Sequence, residues 1–186
     1  MSKKFLAALL VAAFSMGAAT AQTASPTLDK IKAAKSINVA YSADSFPFSF
    51  AGPNKEAAGY SIDLCKRAIE QIGRTVGEPN LKVNWLPGSV TERLQMVASG
   101  RADLECANTT QTQSRLASVD FSNLIFIDGG GLLVKAGSPL NQIADLAGKR
   151  VAVLKGTTTE ARLNETLRIR AITATVVPIT DAAAGV

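Results

Sequence analysis

The sequence predicts an α/β fold built around a largely parallel sheet, and three observations carry that prediction. Strand-like and helix-like stretches alternate from Ile37 to Ala107. Capping residues and glycines stand where helices would begin and end. A run of uncharged polar residues follows directly on the last strand of this alternation, at the carboxyl edge where ligands sit in such sheets.

Taken in order, Pro26 to Lys35 reads as a leading helix or linker, and Ile37–Tyr41 as a first strand. Ser42 to Ser45 turns into Phe46-Pro47-Phe48-Ser49-Phe50. The alternate aromatics there either wall a ligand site or form a short hydrophobic edge that Pro47 keeps out of a central strand. Ser61 is placed to cap a helix, with Ile62, Cys65, Ile69 and Ile72 along one face and Gly73 at its stop. Leu81–Trp85 alternates as a strand. Ser89 and Glu92 form a capping box ahead of a Val90, Leu94, Val97 stripe. Ala102–Ala107 is the next strand.

The polar run is Asn108-Thr109-Thr110-Gln111-Thr112-Gln113-Ser114, closed by Arg115. Hydroxyls and amides offer many donors without charge, and a guanidinium is a planar fork that fits a carboxylate. One reading is a pocket for a small zwitterion; the other is a solvated loop whose Thr112 caps a short helix.

Gly129-Gly130-Gly131 leads into Leu132-Leu133-Val134, expected as a strand after a hinge or a flexible turn. A second unit starts near Ala136: a short helix at Ile143–Leu146, a strand at Arg150–Leu154, a helix from about Thr158 to Arg168, and a strand at Ala174–Pro178. Thr157 and Glu160 form a capping box. The Gly156-Thr157-Thr158 turn is either an anion-compatible helix terminus or plain capping.

Composition sets bounds. The chain has 186 residues, 47% hydrophobic and 19% charged. Lys3 and Lys4, the apolar run Phe5–Met16 and Ala19-Thr20-Ala21 read as a signal peptide over residues 1–21, too short to span a bilayer. Its removal lowers the net charge from +5 to +3. No basic cluster marks a nucleic-acid surface, so no nucleic-acid partner is expected. With no histidine, a Ser-His-Asp site and the usual zinc sites are excluded. No cofactor or metal is expected. Cys65 and Cys106 either pair or stay buried as free thiols.

Four motifs, in order, resemble the family 3 periplasmic solute-binding proteins of amino-acid ABC transporters. They are Gly59–Leu64; Gly100-Arg101-Ala102-Asp103 leading to Asn108–Arg115; Phe121-Ser122 followed by Leu132–Lys135; and Leu146–Val153 with Gly156-Thr157-Thr158. Leu104–Thr110 is similar to the glutamate/aspartate branch. The resemblance implies a two-lobed periplasmic-binding-protein-like (type II) fold, with lobe 1 over 22–135 and a partial lobe 2 over 136–186. It implies a monomer that binds a polar amino acid, acidic ones included, and delivers it to a membrane permease from the periplasm. By position, Arg115 would clamp the ligand α-carboxylate. Asn108, Thr109 and Thr110 would add polar contacts, Thr157 and Thr158 would complete the grip from lobe 2, and the Ser42–Phe46 loop would face the ligand side chain. The acidic branch carries arginine at the Ser42 position and histidine near Ala182, and the basic branch carries aspartate at the Ser42 position. This sequence departs from both. The acid that receives the ligand ammonium lies beyond Val186 in such families, so a truncated second lobe is expected. The same fold resembles cyclohexadienyl dehydratases and receptor sensor domains, which are the alternative functions. For the enzyme, Glu105 is the nearest general-acid candidate.

Overall fold

The computed structural model describes residues 25–185; the signal-peptide reading lies outside them. A helix α1 (Pro26–Ala34) leads into β1 (Ser36–Tyr41), the middle strand of a parallel sheet ordered β5-β1-β6, with β5 at Lys82–Pro87 and β6 at Leu104–Cys106. Both faces of β1 are covered, as its apolar run requires. Ile37, Val39 and Tyr41 pack with Ile31 of α1, with Ile62, Ile69 and Val76 of α2 (Tyr60–Val76), and with Cys106. Ala40, on the opposite face, packs with Met96 of α3 (Val90–Ala98) and with Ala102. The Cys65–Cys106 disulfide ties α2 to β6 across a Cα–Cα distance of 6.2 Å, which resolves the open question of those two thiols.

Three short antiparallel strands form a flap beside this sheet: β2 (Asp44–Ser45), β3 (Ser49–Ala51) and β4 (Ala57–Ala58). Past the polar run comes a one-turn α4 (Gln113–Leu116). The second unit supplies a 3-10 turn at Ile143–Leu146, β7 (Arg150–Leu154), α5 (Thr158–Ile169) and β8 (Thr175–Ile179), with β7 and β8 parallel.

Three expectations are corrected. Ser61 does not cap α2: Gly59 does, at φ 120°, and the N–H groups of Tyr60 and Ser61 donate to the carbonyls of Pro47 and Phe48. With those amides satisfied, Ser61 turns inward and is buried. Gly73 does not stop α2, which runs to Val76 before Gly77 takes the left-handed conformation. Gly73 instead lets the returning chain pass close: a Cβ there would lie 2.7 Å from the Glu78 carbonyl oxygen. Finally, Leu132–Val134 forms no strand, and Leu133 is 83% exposed. A strand needs a neighbour for its N–H and C=O groups, and none of the described strands lies alongside.

Candidate functional site

The polar run leaves the carboxyl end of β6, and the β1–β6 register aligns Tyr41 with Cys106, so Ser42 and Ala107 emerge as neighbours. Thr112 accepts the Arg115 N–H and caps α4, which presents the Arg115 guanidinium back toward the run. There Nη1 donates to the Thr110 carbonyl at 2.7 Å. Nη2 donates to the Gly156 carbonyl at 3.2 Å, reaching across to the β7–α5 turn. Beside it the hydroxyls of Thr110 and Thr158 meet at 3.2 Å. One guanidinium and one hydroxyl pair thus join the polar run to the tip of α5.

The turn itself is tightly organised. Thr157 accepts the Glu160 N–H at 3.1 Å and donates to the Leu154 carbonyl at 2.7 Å, so its hydroxyl is spent on capping. The Glu160 carboxylate takes the Gly156 N–H at 2.7 Å, one residue earlier than a reciprocal capping box would have it. Gly156 adopts φ +76°, and a Cβ on it would lie 2.7 Å from the Thr91 hydroxyl, so the turn presses against the start of α3.

Sequence reasoning missed the group beneath the run. Arg93, with 2% of its side chain exposed, pairs with Glu105 at 2.8 Å. It also donates to the Gly88 carbonyl at 2.6 Å and to the Thr109 hydroxyl at 3.3 Å. Thr109 donates in turn to Glu105 at 2.5 Å, which commits it to this network. The signal was present: Arg93 falls three residues after Val90 and three before Met96, so the buried stripe of α3 is Val90, Arg93, Met96 and not the expected one. Burial pushes the Arg115 pKa down, Glu105 opposes this and the like charge of Arg93 adds to it. Arg115 stays protonated regardless. Glu105 pairs with Arg93 and Glu160 stands in the facing turn, so the charges balance, while Arg115 itself makes no ion pair among the described residues.

The remaining candidates are dispersed. Asn108 and Thr110 are exposed at the rim. Ser42 is buried, its hydroxyl engaged by Asp44 and Ser45. Phe46, 76% exposed, leans on Phe50 at 5.1 Å between ring centroids. Two open depressions lie elsewhere, one lined by Lys66, Ile69 and Leu81, the other by Asn38, Met96 and Arg101. Neither includes a candidate ligand residue. No group of three or more metal-ligating side chains occurs among the described residues.

Comparison with known families matches residues 37–176 to the bacterial extracellular solute-binding proteins, family 3. The chain belongs to that family. This family 3 protein is 35% identical over 167 residues to a glutamate/aspartate import solute-binding protein of Escherichia coli strain K12, covering 88% of this chain and 55% of the relative. It is 34% identical, with the same coverage, to the Salmonella typhimurium strain LT2 protein of that name. Among solved structures it superposes on an ancestral amino acid-binding protein described as a precursor of cyclohexadienyl dehydratase. That match has a TM-score of 0.74 and 29% identity, and covers 86% of this chain and 67% of that one. The family 3 chain therefore spans about half the length of the curated relatives it matches. Its fold class, α/β of the periplasmic-binding-protein kind, is that of its relatives.

Proposed function

We propose that this protein is the extracytoplasmic solute-binding component of an amino-acid ABC transporter. It binds a polar α-amino acid between two lobes that divide near residue 135 and presents it to a membrane permease from the periplasm, as a monomer. The observation that carries this reading is Arg115, whose two terminal nitrogens reach the Thr110 carbonyl on one side and the Gly156 carbonyl on the other. A ligand carboxylate that replaces the Gly156 carbonyl gains a charge-assisted contact in place of a neutral one. It meets the α5 terminus and Thr158 in the same step. Contact made only when both sides close on the ligand is the requirement for a ligand-driven shift to the closed state. Among the candidates, Arg115, Thr110 and Thr158 form the carboxylate grip, and Asn108 adds a rim contact. Thr109 and Thr157 hold their backbones in place, and Ser42 and Phe46 belong to the side-chain end.

The enzyme alternative needs a general acid facing the cleft, and Glu105 is held by Arg93 and Thr109 instead. A thermal-shift screen of the twenty amino acids on the protein as its gene encodes it tests the proposal. One chemical subset should raise the melting temperature in wild type and leave Arg115→Ala unmoved. No stabilisation by any amino acid, or turnover of a cyclic dienyl acid, would overturn it.

A further inference from the structure

The polar run hangs from the shortest strand of its sheet, and a covalent tie sits at the point of attachment. β6 has three residues and lies at the edge of the order β5-β1-β6, so its ladder is one-sided. That ladder ends at the Tyr41–Cys106 pair, and the run begins at Asn108. Alternation along the strand sends Leu104 and Cys106 to the α2 face and Glu105 to the α3 face. Toward α3, Glu105 is paired with Arg93, which also meets the Thr109 hydroxyl. Toward α2, Cys106, 1% exposed, is bonded to Cys65 in the second turn of that helix. The strand is thus gripped from both faces just before the run, by an ion pair on one and a covalent bond on the other.

The run itself has little else to fix it. Asn108 and Thr110 are exposed, so no packing of their own sets their position. Thr110 must nevertheless offer its carbonyl to Arg115 and its hydroxyl to Thr158. Few ladder bonds and an exposed chain are the conditions under which a segment opens locally. The placement of Asn108 and Thr110 is therefore inherited from β6, and the bridge is what ties that end of β6 to the core helix.

We propose that the Cys65–Cys106 disulfide is a positioning element of the ligand site, so that amino-acid affinity is coupled to the oxidation state of this pair. The assignment rests on the amino-acid-binding reading above. Neither sulfur touches the ligand; Cys106 acts through Asn108 and Thr110. With the bridge closed the run is pre-set, and with it open the ligand must first order the run, so affinity falls. A dithiol opens it: one thiolate attacks the half-buried Cys65 sulfur and Cys106 leaves as a thiolate that takes up a proton. The second thiol of the reductant then closes its own disulfide and releases the Cys65 thiol. Disulfides persist in oxidising compartments and are rare in the cytosol. A chain read as exported thus gains its affinity after leaving the cytoplasm.

Calorimetric titration of the protein as its gene encodes it, with glutamate, glutamine, serine and arginine as probes, tests this. The bridged form is compared with the form reduced by dithiothreitol and with the Cys65→Ala, Cys106→Ala double variant, each checked by far-UV circular dichroism at the same temperature. Both opened forms should keep the native signal and bind roughly ten-fold or more weakly. Reciprocity gives a second readout that a merely stabilising bridge in a folded protein would not move. A saturating amino acid should make the bridge harder to reduce by the same factor, and ten-fold is about 30 mV for this two-electron couple. Unchanged affinity in the opened forms, or a reduction midpoint that the amino acid leaves in place, would overturn the assignment and leave the amino-acid-binding reading intact. Loss of the native signal together with affinity would also overturn it, because the bridge would then hold the whole unit rather than the run. Binding of none of the four by the bridged form refutes it as well, and the twenty-amino-acid screen shows whether the parent reading falls with it.

Discussion

Breaking the Arg93–Glu105 pair should be the most damaging polar substitution in the first unit. Arg93 places three donors, one on Glu105 at 2.8 Å, one on the Gly88 carbonyl and one on Thr109, with almost none of its side chain in water. Glu105→Ala leaves a buried guanidinium with two neutral acceptors and no counter-charge, a change that costs about 3–5 kcal/mol. For a domain of this size that corresponds to a fall in Tm of roughly 6–20 °C. Replacing both partners, as in Arg93→Met with Glu105→Leu, removes the uncompensated charge, so the double variant should be more stable than Glu105→Ala alone. Urea melts of the wild type, Arg93→Met, Glu105→Leu and the double variant complete a cycle, with Glu105→Ala melted beside them. A loss below about 1 kcal/mol for Glu105→Ala, or additive effects across the cycle, would refute the claim that this pair holds the floor of the site.

Other perturbations follow from the same geometry. Opening the Cys65–Cys106 bridge, which spans a sequence separation of 41, should cost about 4 kcal/mol by loop closure; melts with and without reductant measure it, and coincident curves would contradict it. Gly156→Ala meets both a left-handed φ and the Thr91 hydroxyl, so it should destabilise by more than about 1 kcal/mol, with Thr91→Ala recovering only the steric part. Acid should weaken the fold through Glu92 and Asp145. The Ser89 N–H and then its hydroxyl hold Glu92 below its ordinary 4.5, and the Asn141 N–H and then the Gln142 side chain hold Asp145 below 3.8. Both folded values are depressed, so the stabilisation is present above the unfolded values and lost as pH falls toward the folded ones. Glu92→Gln and Asp145→Asn should flatten the pH dependence of Tm below about pH 4.5, and an unchanged slope would count against these hydrogen bonds.

The parts of the fold set by local rules were legible in the sequence. The Ile37–Tyr41 strand, the helix carrying Ile62, Ile69 and Ile72, the Ser89–Glu92 box and the β7–α5–β8 unit all follow from periodicity and caps. What failed depended on packing outside the element concerned. Ser61 resembles an N-cap until Pro47 and Phe48 supply the acceptors. Gly73 resembles a stop until Glu78 passes over it. Leu132–Val134 has the composition of a strand and lacks a neighbour. At the candidate site the polar run and the Gly156 turn were visible as separate stretches; their meeting through Arg115 and Thr158 is a tertiary fact. Arg93 and its pairing with Glu105 escaped notice because an arginine on a helix looks solvated until the cores on either side are assembled.

The account depends on Arg115 and Thr158 gripping one carboxylate from opposite sides. Its most direct test is a double-mutant cycle on ligand affinity, with Arg115→Ala, Thr158→Ala and the double variant titrated calorimetrically against the tightest-binding amino acid of the screen. A shared carboxylate predicts a coupling of roughly 0.5–3 kcal/mol, the double variant losing less than the sum of the singles. Independent, additive losses, or full affinity without the Arg115 guanidinium, would contradict it.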